Sequence, residues 1–307
     1  MNALKRIFVD RHGEIRSGWR IAIFLVLTGG IAALLGWPVI LWDPHNQFLF
    51  SLVTAVAVLA ASYVMTRFVN RKPFGAIGLH LHAGTFREFG MGCLLGLLMI
   101  AGIFVVENSL GYIALTWRGL SLEGCVWVLV NSAVFFAVGA LGEEALFRGY
   151  FYQTVIQGIT FLPATLLMTV LFALVHVTNP GATTFSTVNT ALASIWFCVA
   201  YMKTRSLWLP LGLHFAWNYS QTTLFSFPTS GELFPRHRLF DLSQGGAVWL
   251  TGGGYGPEAG ALATLALLVS TAYILKSRAL KAPEGIITLD SIEDLMPPQG
   301  GPVQGEG

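Results

Sequence analysis

The chain has 307 residues, of which 54% are hydrophobic and 11% charged, less than half the charged share of about 25% usual in a soluble domain. That shortage excludes an ordinary soluble globule. The formal net charge of +2 carries little information in itself, but the distribution of charge along the chain carries a good deal.

Apolar stretches of about 20 residues recur along the whole length, which predicts an all-α, polytopic membrane helical bundle. The first 20 residues hold Lys5, Arg6, Arg11, Arg16 and Arg20. The apolar run behind them is too long for a signal-peptide core, so the first helix is expected to stay as an anchor. Eight spans are predicted, at about 21–42, 48–66, 89–106, 126–155, 161–178, 185–202, 207–227 and 259–275. The chain thus divides into a cytoplasmic segment 1–20, a transmembrane domain 21–278 with its catalytic core in 126–227, and a tail 279–307 expected to be disordered. The longest connections are 107–124 and 228–258, the second followed closely by a span and rich in glycine.

Eight crossings with both termini in the cytoplasm put 15 of the 18 basic residues inside. The three left outside are Arg118, Arg236 and Arg238. Losing one span would destroy this asymmetry downstream. Cys93, Cys125 and Cys198 stand alone in apolar runs and read as packing residues, not as a disulfide framework.

Within this apolar chain the polar residues of the core form a pattern. Glu143 and Glu144 are adjacent, and Arg148 follows the second by four residues. His176 follows Phe172 by one helical turn, and Asn218 follows His214 by one turn. Ionisable groups inside a membrane cost a few kcal/mol each even on lenient scales, so their presence points to function. Glu144 and Arg148 are i,i+4 neighbours able to pair, which leaves Glu143 free to face His176 across the hairpin of spans four and five. Counting from the turn near Gly158–Thr160, Glu143 and His176 both lie roughly 24 Å up their helices. His214 counts as shallower unless the loop before it is recessed, and the cavity is expected to open to the cytoplasm. Taken singly, each element has a plainer reading: a charged helix end, a hydrogen-bonded core histidine, an Asn–His stitch between helices. Jointly they read as a hydrolytic centre. Glu258, His237, Asp43 and His45 read as solvated loop residues, and Asn189 as a solitary polar residue of span six. No Walker loop, G-x-G-x-x-G fingerprint or H-E-x-x-H helix is present, so neither nucleotide nor nucleic acid is expected as a partner.

The ordered triple E-E-x-x-x-R, F-x-x-x-H, H-x-x-x-N resembles that of the CPBP family, the type II CAAX prenyl endopeptidase-like and abortive-infection-like membrane proteins. The resemblance implies an intramembrane endopeptidase acting on a membrane-embedded, prenylated or otherwise lipophilic peptide. In that family reading Glu143 activates water with help from His176, Glu144 pairs with Arg148, and His214 with Asn218 stabilises the oxyanion. A zinc version would use Glu144, His176 and His214 as ligands with Glu143 as base; the metal-free version is favoured. The rival readings are a non-catalytic, bacteriocin-immunity-like regulator and a proton-coupled transporter. A bacterial inner membrane is the expected location.

Overall fold

A computed structural model describes residues 7–9 and 13–290. The architecture is all-α, and the apolar helices make the chain a multi-pass membrane bundle. In chain order the helices are α1 (Ser17–Trp42), α2 (Gln47–Val64), α3 (Thr85–Ser109), α4 (Leu122–Glu144) and α5 (Tyr150–Ile159). They are followed by α6 (Phe161–His176), α7 (Thr184–Thr204), α8 (Trp208–Tyr219) and α9 (Ala261–Lys276). Local sequence sets the starts of several. Asn46 accepts from Leu49 N at 3.1 Å ahead of α2, Ser121 from Gly124 N at 3.1 Å ahead of α4, and Thr183 forms a capping box with Ser186 ahead of α7.

All eight predicted apolar segments are helical, but their lengths differ in a way the pattern does not show. Among the described residues, five stretches are long and apolar enough to cross a membrane: α1, α2 with its π turn, α3, α4 through α5, and α7. The helix α6 has 16 residues, about 24 Å at 1.5 Å each, against a hydrocarbon core of roughly 30 Å. The 12-residue α8 is extended only by a π turn, Ser220–Leu224. Shorter helices thus pack against long ones: α6 and α8 carry His176, His214 and Asn218, while the two glutamates end the long α4.

The connections gather on two opposite faces. On one, Leu207 N donates to Gly78 O at 2.8 Å, Lys72 Nζ to Thr288 O at 3.1 Å, and Arg205 pairs with Asp290 at 3.0 Å. This face collects the segments that the charge count assigns to the cytoplasm. On the other, β1 (Ile113–Trp117) pairs antiparallel with β2 (Phe240–Gln244), from Ile113↔Gln244 to Trp117↔Phe240. That small sheet, formed by the two longest loops, is not foreseen by hydropathy. Nor is the order of the early tail. Leu280, Thr288, Leu289 and Asp290 are buried, because Gln153 Oε1 accepts from Leu289 N and Tyr201 donates to Asp290. The expectation of disorder from 279 is therefore corrected as far as Asp290, and 291–307 lie outside the described residues.

Helices α3 and α8 approach through glycine. A Cβ on Gly96 would sit 2.7 Å from Leu213 O and 2.9 Å from Trp217 N, and one on Gly92 would sit 2.7 Å from Leu213 N. Small residues four apart let two membrane helices meet backbone to backbone. The contact fixes the rotation and depth of α8, and with them His214 and Asn218. It also buries Ser206, Leu207 and Leu209, so α8 begins inside the bundle.

Candidate active site

The chain from Leu122 to Ile159 is interrupted just after the two glutamates. A π turn spans Ala145–Gly149, and the backbone bends at Gly149, where φ is −80° and ψ −126°. Such widened turns inside helices concentrate at functional sites and re-aim the side chains they carry. Here Arg148 turns inward beneath Glu144. Its Nη1 lies 3.3 Å from Glu144 Oε1, with both side chains 0% exposed. Its Nη2 donates to Ser194 O and Oγ at 3.2 and 3.0 Å. The guanidinium also stacks within 4.6 Å of the Phe172 ring centroid and 4.9 Å of that of Phe197. A buried cation is more tolerable when it is paired and its faces meet aromatic rings; here both terminal nitrogens have partners and the rings cover the guanidinium, while Nε is left without a hydrogen bond.

Glu144 Oε1 also accepts from His214 Nδ1 at 2.8 Å. A carboxylate cannot donate, so Nδ1 carries the proton and Nε2 is turned the other way. That Nε2 lies 3.9 Å from Glu143 Oε2. His214 rather than His176 is thus the imidazole nearest Glu143, and among the described residues no ion pair or hydrogen bond joins Glu143 to His176. The expectation of a facing Glu143–His176 pair is corrected for two reasons. The recessed start of α8 raises His214 to the level of Glu143, and His176 is held back by its own helix. Its Nδ1 donates to Phe172 O at 2.7 Å, one turn earlier, which leaves the Nε2 lone pair open.

Glu143, His176, His214 and Asn218 nonetheless line one cavity of about 580 Å³. Glu143 is 40% exposed into it, and one carboxylate oxygen, Oε2, has no hydrogen-bond partner. Glu144 and Arg148 lie beneath, outside the lining. Phe135, Phe136, Phe172 and Phe197 supply much of the apolar wall, the usual composition of a site that binds an apolar chain around a few polar groups.

The cavity does not open as expected. Its lining comes from the first turns of α2 (Gln47, Phe50), the N-terminal half of α7 (Asn189, Thr190) and the loop residues Asn179, Thr229 and Glu258. All of these belong to the end of the bundle opposite the basic face. The cavity therefore extends toward the charge-poor end of the bundle and not, as expected, toward the basic end. The helix α6 ends at His176, and the loop residues that follow it, such as Asn179, join the lining.

Two loop residues, Glu258 and His237, and Asn189 of span six are also placed differently from expectation. Glu258 lines the cavity; Ser230 Oγ and Trp217 Nε1 donate to its carboxylate at 3.2 and 3.4 Å, as does Ser230 N. Asn189 is not solitary, since its amide donates to the carbonyls of Glu258 and Gly260 at 2.8 and 3.0 Å. His237 packs among Phe135, Phe136 and Phe234, and its Nδ1 lies 3.0 Å from Ser132 Oγ. A glutamate on a glycine-rich loop reads as solvated unless its partners are known, and these lie 28 and 41 residues away.

The zinc alternative needs Glu144, His176 and His214 to converge. Among the described residues no group of three His, Cys, Asp or Glu side chains is arranged to hold a metal ion. Glu144 Oε1 is already engaged by Arg148 and by the proton on His214 Nδ1. This donor set does not fit a metal in the arrangement seen.

The family model described as Type II CAAX prenyl endopeptidase Rce1-like matches residues 125–220. The chain carries an Rce1-like domain. All seven motif residues fall within the match, from Glu143 to Asn218, whereas the Gln47, Thr229 and Glu258 parts of the cavity fall outside it. Comparisons with curated proteins and with solved structures return no match.

Proposed function

We propose that this protein is an intramembrane endopeptidase of the CAAX type, hydrolysing a peptide bond of a membrane-embedded or lipophilic peptide by glutamate-activated water. The observation that carries the reading is the shared cavity. A partly exposed carboxylate, an imidazole 3.9 Å from it, a second imidazole whose Nε2 has no protein partner among the described residues, and an amide face one largely apolar chamber large enough for a peptide segment.

The steps follow from these groups. Glu143 takes a proton from water as the hydroxyl oxygen attacks the carbonyl carbon of the scissile bond. The carbonyl π electrons move to oxygen, and that oxyanion accepts from the Asn218 amide, which has no protein partner among the described residues. His214 lies beside it, oriented through Nδ1 by Glu144, and Arg148 balances the Glu144 charge. Collapse of the tetrahedral species breaks the C–N bond, and the proton held by Glu143 passes to the leaving amine. His176, which lines the cavity with its Nε2 unpartnered, orders the water or accepts a proton in transit.

A cavity lined from one half of the bundle favours this reading over a proton path through it. A bacterial inner membrane is the proposed location. The test is cleavage of a lipophilic peptide by purified protein in ¹⁸O-labelled water, with fragments read by mass spectrometry and bound metal measured on the same sample. One labelled oxygen in the new carboxylate, absent with Glu143→Gln, is expected; no fragments from any membrane peptide would end the proposal.

A further inference from the structure

We infer that Phe197, which lies outside the polar motif, is a positioning residue for His214: its ring sets the plane of the imidazole nearest Glu143. The inference rests on the hydrolytic reading of the Glu143 site and adds one residue to its support.

A single hydrogen bond fixes one atom of an imidazole and leaves its plane undetermined. Glu144 Oε1 holds His214 Nδ1 at 2.8 Å, and a ring pivoting on that atom would swing Nε2 out of its place 3.9 Å from Glu143 Oε2. The second constraint comes from α7. The Phe197 and His214 rings stack with centroids 4.9 Å apart and planes 23° from parallel. Offset stacking of aromatic pairs is favourable at such separations. Both residues line the cavity, so the stack borders the chamber itself.

Phe197 is itself firmly held. It is buried, and α7 presents it one turn after Ser194, whose carbonyl and hydroxyl accept from Arg148 Nη2. The Arg148 guanidinium carbon lies 4.9 Å from the Phe197 centroid and 4.6 Å from that of Phe172, and the two phenyl rings meet edge to face at 6.3 Å. Phe172 in turn lies 4.5 Å from the His176 ring, centroid to centroid. Two phenyl rings thus cover one buried cation, and each adjoins one of the two imidazoles. Next to Phe197, Trp196 Nε1 donates to Ser270 Oγ at 2.9 Å and ties this stretch of α7 to α9. An aliphatic side chain could fill much of the same volume. It would offer neither a flat face to the imidazole nor a negative ring face to the guanidinium.

The test compares Phe197→Leu, which removes the flat face, with Phe197→Tyr, which keeps it, in full-length protein in detergent. Single-turnover rate and Kd are measured for one lipophilic peptide. In parallel, ¹H–¹³C spectra are recorded on protein with ring-labelled histidine, the His214 signals being assigned by their loss in His214→Gln. Phe197→Leu should slow cleavage by at least about tenfold with Kd within about threefold of wild type, since small misplacements of a reacting group cost up to about 10²-fold. Its His214 ring signals should move downfield and broaden as the stacked ring is lost. Phe197→Tyr should recover the rate to within about threefold of wild type and keep the wild-type signals. Ile274→Ala, a buried truncation on α9, controls for lost packing: it should lower the melting temperature without the loss of rate. Unchanged His214 signals in Phe197→Leu, no recovery in Phe197→Tyr, or an equal slowing in Ile274→Ala would each overturn the inference. If Phe197→Leu does not fold, Phe197→Met, a flexible filler without a flat face, is read in its place. Should the wild-type protein cleave nothing, the hydrolase reading falls and the histidine spectra alone decide the positioning. Cleavage with rate and spectra indifferent to Phe197 does the reverse.

Discussion

At the scale of single residues, the two adjacent glutamates do different work because a helix points neighbours about 100° apart. Glu144 looks into the protein, held between Arg148 and His214, and Glu143 looks into the cavity. Removing the Arg148 cation leaves Glu144 buried without its counter-charge, a loss of about 3–5 kcal/mol where such pairs have been broken. Arg148→Ala should therefore cut the yield of folded protein, measured by size exclusion after extraction, as well as activity. A normal yield would show that the pair is not the structural unit the geometry describes. Asn218→Ala is different, since it removes one donor to the oxyanion and leaves the packing alone. Turnover should fall by about 10²–10³ with yield unchanged, and full activity would remove Asn218 from the mechanism.

At the scale of elements, the site depends on how deeply α8 is set, and that depends on two glycines of α3. Gly96→Leu would drive a side chain into the Leu213 and Trp217 backbone, displacing His214 and Asn218 together. Overpacking of this kind costs about 1–3 kcal/mol. Lower thermal stability in detergent together with lost turnover is expected, and unchanged melting would contradict the close α3–α8 packing. This coupling explains how much was legible beforehand. Eight apolar runs and the i,i+4 spacings of Glu144–Arg148 and His214–Asn218 are visible in the chain because they are local. The Glu143–His214 neighbourhood is not, because it depends on a helix beginning inside the bundle, which only the glycine contact and the buried Ser206–Leu207 turn reveal. The Glu258 loop is further out of reach, since Asn189, Trp217 and Ser230 come to it from three separate segments.

At the scale of the whole molecule, one face gathers the basic segments, and the sheet and the cavity lie toward the other. With Lys203 on the first and Arg238 on the second, single cysteines at those positions, in a background without Cys93, Cys125 and Cys198, should react with an impermeant maleimide from opposite sides. Labelling from one side only would break the alternation of crossings. If the labelling assigns the basic face to the cytoplasm, the cavity lies toward the other side, and the peptide bond cut should lie there in a membrane substrate.

The proposed chemistry turns on Glu143 activating the water. Its most direct test is the single-turnover rate of Glu143→Gln beside wild type on one lipophilic peptide, at saturating enzyme and with the peptide Kd measured for both. Glutamine keeps the shape and removes the base, so the rate should drop by at least about 10²-fold while folded yield is unchanged and binding persists. Cleavage by Glu143→Gln at the wild-type rate would contradict the account.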